Sequence, residues 1–210
     1  MELRKTKAKK AAGGRNKILT VGLLALFLLA GPLAASGVEA RLFLVGGFFN
    51  FRQPEFGDLY GTMPLFGLAF DLYSKHNLGL EAGAFRINGR GETVTLEGEP
   101  AVYPVKFFRW TFPLLLKYRL KAGRFEASVG AGPALSVYDE SWVGVDLSYR
   151  GQKIHFRGQL AADFRLAVRL YLRAGLTWDS LPTGARSLLL DGGRVRLDGL
   201  NLEAGLGYRF

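Results

Sequence analysis

The thirteen residues FRWTFPLLLKYRL, at positions 108–120, decide the fold of this chain. Every even-numbered position in the stretch is apolar or aromatic, whereas the odd-numbered positions include Arg109, Lys117 and Arg119. A spacing of two places all the even-numbered side chains on one side of an extended strand, and no amphipathic helix produces that pattern. The stretch therefore predicts a β-strand well beyond the usual length of about 5 to 6 residues.

The same alternation predicts seven further strands, which begin near positions 41, 64, 78, 125, 154, 170 and 200. The first, over residues 41–51, is apolar at odd and even positions alike, so its two faces stay unassigned. The connections alternate between short ones, near 74–77, 121–123 and 167, and long ones, near 52–61, 89–103, 139–152 and 180–194. Tight turns at one end and longer polar loops at the other are typical of bacterial outer-membrane barrels.

The composition excludes several kinds of site. The 210 residues contain no cysteine, which rules out disulfides, thiolate metal sites, a cysteine nucleophile and a lipid-modified cysteine. With two histidines, a multi-histidine zinc site is disfavoured, and we predict neither metal nor cofactor. The net charge of +10 would suit a nucleic acid, but residues 1–40, with seven Lys or Arg and two Asp or Glu, carry half of it. No nucleic-acid partner is therefore expected.

Residues 1–40 have the three parts of a secretory signal peptide. A basic segment ends at Lys17, an apolar run from Ile18 to Ala30 follows, and Gly31-Pro32 breaks it. Val38-Glu39-Ala40 then resembles a peptidase site with cleavage after Ala40. The alternative is a membrane anchor, but the run is short of the roughly 20 residues that a spanning helix needs. We therefore predict a signal peptide over residues 1–40 and one domain over residues 41–210.

The apolar faces of the predicted strands are expected to meet lipid. They carry large side chains along nearly all their length, while the opposite faces mix charges of both signs with small residues. The alternative is a secreted soluble barrel with the apolar faces turned inward. Aromatic residues near strand ends favour lipid, because belts of them mark the two membrane interfaces. On the long-loop side these residues are Phe51, Tyr60, Tyr138, Trp142 and Trp178, and on the other side Tyr118, Phe164, Tyr208 and Phe210.

The last eight residues, EAGLGYRF, resemble the carboxy-terminal targeting signal of outer-membrane barrels. Glu203, Gly205, Tyr208 and Phe210 match that signal position by position. Together with the leader and the eight strands, the motif makes residues 41–210 resemble an OmpA-type eight-stranded outer-membrane β-barrel domain. The resemblance implies an all-β, antiparallel up-and-down barrel in the outer membrane of a Gram-negative cell. It also implies contact with outer-membrane lipid and lipopolysaccharide, and recognition by the barrel assembly machinery.

An eight-stranded barrel has an interior that side chains just fill. We predict a mutually neutralising charge network that plugs the lumen, because buried charges are tolerated when they are paired. The basic excess of the inward set leaves a second hypothesis, a narrow anion-preferring channel or small-solute conduit. Five of the cations (Lys117, Arg119, Arg165, Arg169 and Arg209) are expected near the periplasmic rim. The full inward set is Asp71, Glu81, Arg109, Lys117, Arg119, Glu126, His155, Arg157, Asp163, Arg165, Arg169, Arg173, Asp179, Glu203 and Arg209.

A third hypothesis is a lipid A-modifying enzyme, whose chemistry needs a His/Ser pair on the lipid-facing surface. His76 falls in a predicted periplasmic turn, and His155 points inward by parity although Ser141, Asp146 and Ser148 precede it. We therefore predict no catalytic residues, and a structural or interaction role for the barrel. The outer loops carry apolar stretches such as Leu188-Leu189-Leu190 and could contact a partner that the sequence does not identify.

Overall fold

Eight long strands dominate the computed structural model, which describes residues 37–95, 101–144, 148–186 and 194–210. The connection after β1 contains the short helix α1 (Pro54–Tyr60), and a small hairpin of β8 and β9 precedes β10. No helix in the described ranges is long and apolar enough to cross a bilayer. The strands are β1 (Glu39–Phe51), β2 (Met63–Tyr73), β3 (Leu78–Thr95), β4 (Ala101–Ala122), β5 (Phe125–Trp142), β6 (Ser148–Arg165), β7 (Leu170–Ser180), β8 (Pro182–Arg186), β9 (Arg194–Arg196) and β10 (Gly199–Arg209).

The eight long strands form one closed antiparallel barrel in the order β1-β10-β7-β6-β5-β4-β3-β2, with β2 paired back to β1. The predicted eight-stranded up-and-down barrel is confirmed. Tight connections at 74–77, 123–124 and 166–169 lie at what we call the short-turn end. Gly123 has φ +64° there, a left-handed conformation that suits glycine in so tight a turn. The helix α1 and the paired strands β8 and β9 lie at the opposite end, which we call the loop end.

The strands on the loop side are longer than the sequence predicted. Positions 89–95 and 101–103 were expected in a loop, but they belong to β3 and β4, where Arg90 pairs with Lys106. Similarly, β5 and β6 take up most of the predicted 139–152 loop, with Glu140 opposite Tyr149. The β-ladder continues beyond the apolar stretch because backbone pairing needs no apolar side chains. The Leu188-Leu189-Leu190 stretch lies outside the described residues.

Large apolar side chains cover the outer surface around the whole perimeter. Leu44 on β1 is 67% exposed, Leu116 on β4 62% and Leu160 on β6 57%. Along this apolar band the charged residues of the same strands point the other way, so Arg109 and Arg157, for example, are completely buried. A protein exposing such a surface to water would aggregate, whereas lipid acyl chains suit it. The outward apolar face therefore favours the membrane barrel over the soluble alternative.

The structure assigns the faces of β1, which the sequence left open. Its odd-numbered residues, including Arg41, Phe43 and Phe49, point inward, and Leu44 and Phe48 point outward. Because inward Phe43 and Phe49 are as apolar as the outward residues, alternation was invisible in the sequence. The strand begins at Glu39, so the predicted leader boundary after Ala40 falls inside β1.

Candidate functional site in the barrel interior

The centre of the charge network in the short-turn half of the barrel is Arg173 on β7. Its Nε lies 2.7 Å from Asp163 Oδ1, a terminal nitrogen lies 3.4 Å from Glu81 Oε2, and the other contacts Asp71. Lys117 on β4 shares two of these carboxylates, at 2.8 Å from Glu81 and 3.2 Å from Asp71. Five strands thus contribute to one cluster of ion pairs, which holds opposite walls of the barrel together.

A second layer lies at the short-turn rim. Arg41 on β1 binds Glu39, lies 2.6 Å from Glu126 and reaches Asp163 at 3.2 Å, which joins this layer to the Arg173 cluster. Arg119 on β4 bridges the same two glutamates, at 3.0 Å from Glu39 and 3.2 Å from Glu126. Arg119 lies in this rim layer, as predicted, whereas Lys117 lies in the cluster below it. The expectation that solvent reaches these two cations is wrong, because both side chains are about 1% exposed and ion-paired.

A third cluster of charges lies further towards the loop end. Asp179 on β7 accepts hydrogen bonds from Arg109 at 2.8 Å and from Arg157 at 3.3 Å. Arg157 also donates to Glu203 on β10 at 2.8 Å, and Thr177 donates to the same carboxylate oxygen at 2.8 Å. The pairing satisfies charges that would be costly to bury alone.

Aromatic rings face most of the buried arginines, and these rings come mainly from β1, β2 and β3. Such stacking stabilises a guanidinium in a dry interior and fills space in the lumen between the ion pairs. The guanidinium-to-ring distances are 3.5 Å for Arg173 over Phe43, 3.9 Å for Arg41 over Tyr171, 3.9 Å for Arg119 over Tyr73, 4.3 Å for Arg109 over Phe49 and 4.7 Å for Arg157 over Phe85.

The charges of this interior network nearly balance. Arg165, Arg169 and Arg209 lie half-buried or exposed around the short-turn rim, as the sequence predicted, and outside the ion pairs of the described residues. Glu39 and Arg41, which the sequence analysis missed, join the network instead. The basic excess that suggested anion preference therefore disappears. Its cations are Arg41, Arg109, Lys117, Arg119, Arg157 and Arg173, and its carboxylates are Glu39, Asp71, Glu81, Glu126, Asp163, Asp179 and Glu203.

The loop half of the interior is aromatic rather than polar. Phe51 packs against Phe107 at 5.5 Å between ring centroids and against Phe56 of α1 at 5.2 Å. Tyr60, at the other end of α1, lies 5.5 Å from Phe107. The expectation that Phe51, Tyr60 and Tyr138 form an outer membrane belt is wrong, because all three are buried inside, at 5 to 8% exposure. The faces of β1 were not assigned from the sequence, so alternation did not predict that Phe51 points inward. Nothing in the sequence indicated that α1 folds into the loop-end opening of the barrel, which we call the mouth.

One carboxyl group lies in this aromatic layer with no cation of the described residues in contact. Glu140 points inward from the part of β5 that continues past Val137, beyond the outward apolar band, and is 4% exposed. Burial raises its pKa to about 7. Its charge also acts on Tyr60, whose pKa is raised mainly by burial. Ionising Glu140 therefore places a negative charge in the buried contact between β5 and α1 and destabilises their packing.

We expect the mouth to be tightest in acid and to loosen as pH rises. A carboxyl group with a pKa raised from 4.5 to about 7 stabilises the closed form fully below pH 4.5 and loses that contribution as pH rises through 7. The loss is at most about 3 kcal/mol. Hydrogen exchange of the α1 backbone should accelerate between pH 5 and 9, after correction for intrinsic exchange, and Glu140→Gln should flatten the change. An unaltered slope in that variant, or a flat slope caused equally by the exposed-site control Glu92→Gln, would contradict the assignment.

His155 lies inside the barrel, as parity predicted. Its Nε2 is 2.9 Å from Ser136 Oγ, its Nδ1 is 3.1 Å from the Phe156 carbonyl, and Ser136 also contacts Thr111. Ser136 and His155 are at most 6% exposed, so this pair faces neither lipid nor the outer surface. The lipid-facing His/Ser pair of the enzymatic hypothesis is not formed by this histidine.

The terminal motif lies on β10 at the seam with β1. Glu203 points inward to Arg157, Tyr208 points outward, and Phe210 packs edge-on against Tyr208 at 5.4 Å. Gly205 has Val45 opposite it, and a Cβ there would lie 2.9 Å from the Leu44 carbonyl oxygen. The positions predicted for targeting thus also have structural roles, as a charge partner, a close backbone approach and a lipid-facing aromatic pair.

Comparisons with known proteins place this arrangement in a structural class. No protein-family model and no curated protein matches the chain, but many solved structures do. Neisserial surface protein A aligns at TM-score 0.56 and 12% identity, over 83% of this chain and 97% of that one. The outer membrane protein OprG from Pseudomonas aeruginosa aligns at TM-score 0.58 and 16% identity, over 83% and 96%.

A third similar structure is Ail, the attachment invasion locus protein of Yersinia pestis, solved with the heparin analogue sucrose octasulfate. It aligns at TM-score 0.53 and 12% identity, over 83% of this chain and 99% of that one. At these identities the likeness establishes the fold. The chain has the fold of small eight-stranded outer-membrane β-barrel proteins, and the predicted barrel fold is confirmed.

Proposed function

We propose that this chain is an integral outer-membrane barrel with a structural or interaction role and a lumen closed to solutes. The observation that carries the proposal is the continuous filling of the interior. Ion-paired side chains occupy the short-turn half, aromatic rings occupy the loop half, and Phe56 and Tyr60 of α1 pack into the mouth. Eight strands leave little room beyond such side chains.

Planar-bilayer recording tests the closed lumen. Wild-type protein, refolded and checked by heat-modifiable gel mobility, should insert without single-channel steps. The double variant Arg157→Ala/Arg173→Ala removes two guanidinium groups from the middle of the lumen and should give small steps, provided that the gel shows it folded. Reproducible anion-selective steps from the wild type would instead support the channel hypothesis. A silent double variant would show that other side chains close the lumen.

The outward-facing cations at the loop end support the proposal that the barrel binds the phosphorylated glycolipid of the outer leaflet. Arg86, Arg90 and Lys106 are exposed on the outer faces of β3 and β4, next to or beyond the apolar band. Arg86 lies 5.7 Å from the Trp110 ring and donates to Asn88 at 2.9 Å, which directs its charge along the outer rim. This arrangement suits anionic head groups above acyl chains, with the loop end facing the cell exterior.

Lipid A with and without its phosphates distinguishes this contact from general detergent effects. Phosphorylated lipid A should raise the unfolding midpoint of the wild type more than the dephosphorylated form does, and Arg90→Ala/Lys106→Ala should reduce that difference. The matched control is Lys75→Ala/Arg124→Ala, which removes two exposed cations at the short-turn end. Equal responses of the two double variants would contradict a loop-end contact.

The assembly signal is the remaining part of the proposal. Tyr208 and Phe210 end the strand that must pair with β1 to close the barrel. We propose that the barrel assembly machinery reads this strand before closure, as the resemblance of the motif implies. The loop partner stays unassigned.

A further inference from the structure

Glu39 belongs to the folded barrel and makes ion pairs in it. It is the first residue of β1, where it pairs with Tyr73 of β2. Its carboxylate binds Arg41 and lies 3.0 Å from Arg119 and 3.3 Å from Lys121. One acidic side chain therefore contacts three cations at the short-turn rim.

Ala40 is also part of the folded barrel. It is completely buried, pairs with Leu72 and packs against Phe70. Its carbonyl oxygen accepts a hydrogen bond from the backbone N–H of Phe210 at 3.1 Å. That bond fastens the end of the final strand to the start of the first, at the seam where the barrel closes.

A chain beginning at Arg41 would lose both contributions. Arg41 and Arg119 would keep Glu126, and Arg41 would keep Asp163, but that aspartate already binds Arg173. The new α-ammonium group would add a positive charge beside a buried guanidinium in place of the lost carboxylate. Breaking a buried ion pair by removing one partner is strongly destabilising.

We propose that the leader is removed upstream of Glu39, after Ser36 or Gly37, so that Glu39 and Ala40 stay in the mature protein. Both positions fit a leader peptidase: Ala34 and Ser36, or Ala35 and Gly37, give small residues two apart, as the site requires. Hydrolysis of that one peptide bond consumes one water, leaving a carboxylate on the leader and an ammonium group on the barrel. Gly37 is exposed, so the new charge lies in solvent, away from the Glu39 cluster. The inference rests on the export that the proposed function requires.

Intact mass and amino-terminal peptide sequencing of protein expressed in a Gram-negative host and extracted from its outer membrane decide the position. A mature chain starting at Gly37 or Val38 is expected. A mature chain starting at Arg41, or an uncleaved chain in the outer membrane, would overturn the inference and leave the proposed function standing. Uncleaved protein confined to the cytosol would contradict both.

The contribution of Glu39 and Ala40 to the stability of the barrel is tested separately with purified, refolded protein. The chain 41–210 and the Glu39→Gln variant of chain 38–210 should each have a midpoint of heat-modifiable mobility about 5 °C or more below that of chain 38–210. Glu92→Gln, which alters an exposed carboxylate at the loop end, is the matched control and should leave the midpoint unchanged. If chain 41–210 is as stable as chain 38–210, the structural argument for retaining Glu39 and Ala40 is wrong.

Discussion

Replacing Arg173 with alanine is expected to destabilise the folded barrel by about 3–5 kcal/mol, the cost of leaving buried charges without their partner. The substitution removes the guanidinium that binds Asp71, Glu81 and Asp163, and it leaves the ring of Phe43 without the cation stacked on it. Lys117 and Arg41 remain nearby but already serve the same carboxylates. Denaturant titration of the refolded protein in detergent, followed by the fraction with folded gel mobility, measures the change.

The control for this prediction is Arg124→Ala, which removes an exposed guanidinium from the turn between β4 and β5. Its unfolding midpoint should stay within experimental error of the wild type, because exposed charges contribute little. The idea of an interlocked lumen fails if Arg173→Ala is equally neutral. An Arg173→Lys variant should recover part of the loss, since a single ammonium group restores charge but cannot reach three carboxylates with the geometry of a guanidinium.

Introducing arginine at Leu160 is expected to cost about 2–4 kcal/mol of folding free energy in lipid vesicles. Leu160 is 57% exposed on β6, between Phe164 at the short-turn end of the apolar band and Ile154 at its loop end. The charged side chain would therefore enter the acyl-chain region near mid-depth. The measurement is reversible urea unfolding in vesicles, read from tryptophan fluorescence.

The matched substitution is Ile154→Arg, on the same strand and the same face, with Gln152 next along the outward row. Its cost should fall to about 0–1 kcal/mol because an arginine there reaches the interface. A depth-dependent pair of values identifies this face as the lipid surface. Equal costs at the two positions, or improved solubility of Leu160→Arg without detergent, would contradict an outward-facing membrane band.

The sequence predicted the barrel well because its decisive signal is local. Alternation in positions 108–120 gives the direction of every side chain of β4 in the stretch, and one buried face per strand gives Arg109, Lys117, Arg157 and Arg173 their inward orientation. The C-terminal strand β10 was predicted from the same alternation. Each of these inferences uses the period of two alone and needs no knowledge of which residues meet across the lumen.

What the sequence could not provide was the partner of each inward group. The aromatic side chains of β1 are apolar yet face inward, because they stack against guanidinium groups from strands far away in the chain. Arg41 was missed because the faces of β1 were unassigned, and Glu39 because the predicted leader included it. The packing of α1 into the mouth depends on contacts of Phe56 and Tyr60 with Phe51 and Phe107, and no local pattern records them.

The seam between β1 and β10 has a consequence for the order of events in the cell. Its eleven paired positions join the first strand of the barrel, in order of synthesis, to the last one. A growing chain that still lacks β10 can stack its hairpins but can never become a cylinder, and it carries two unsatisfied sheet edges until synthesis is complete. Closure of the barrel therefore has to wait until β10 is complete and has found β1.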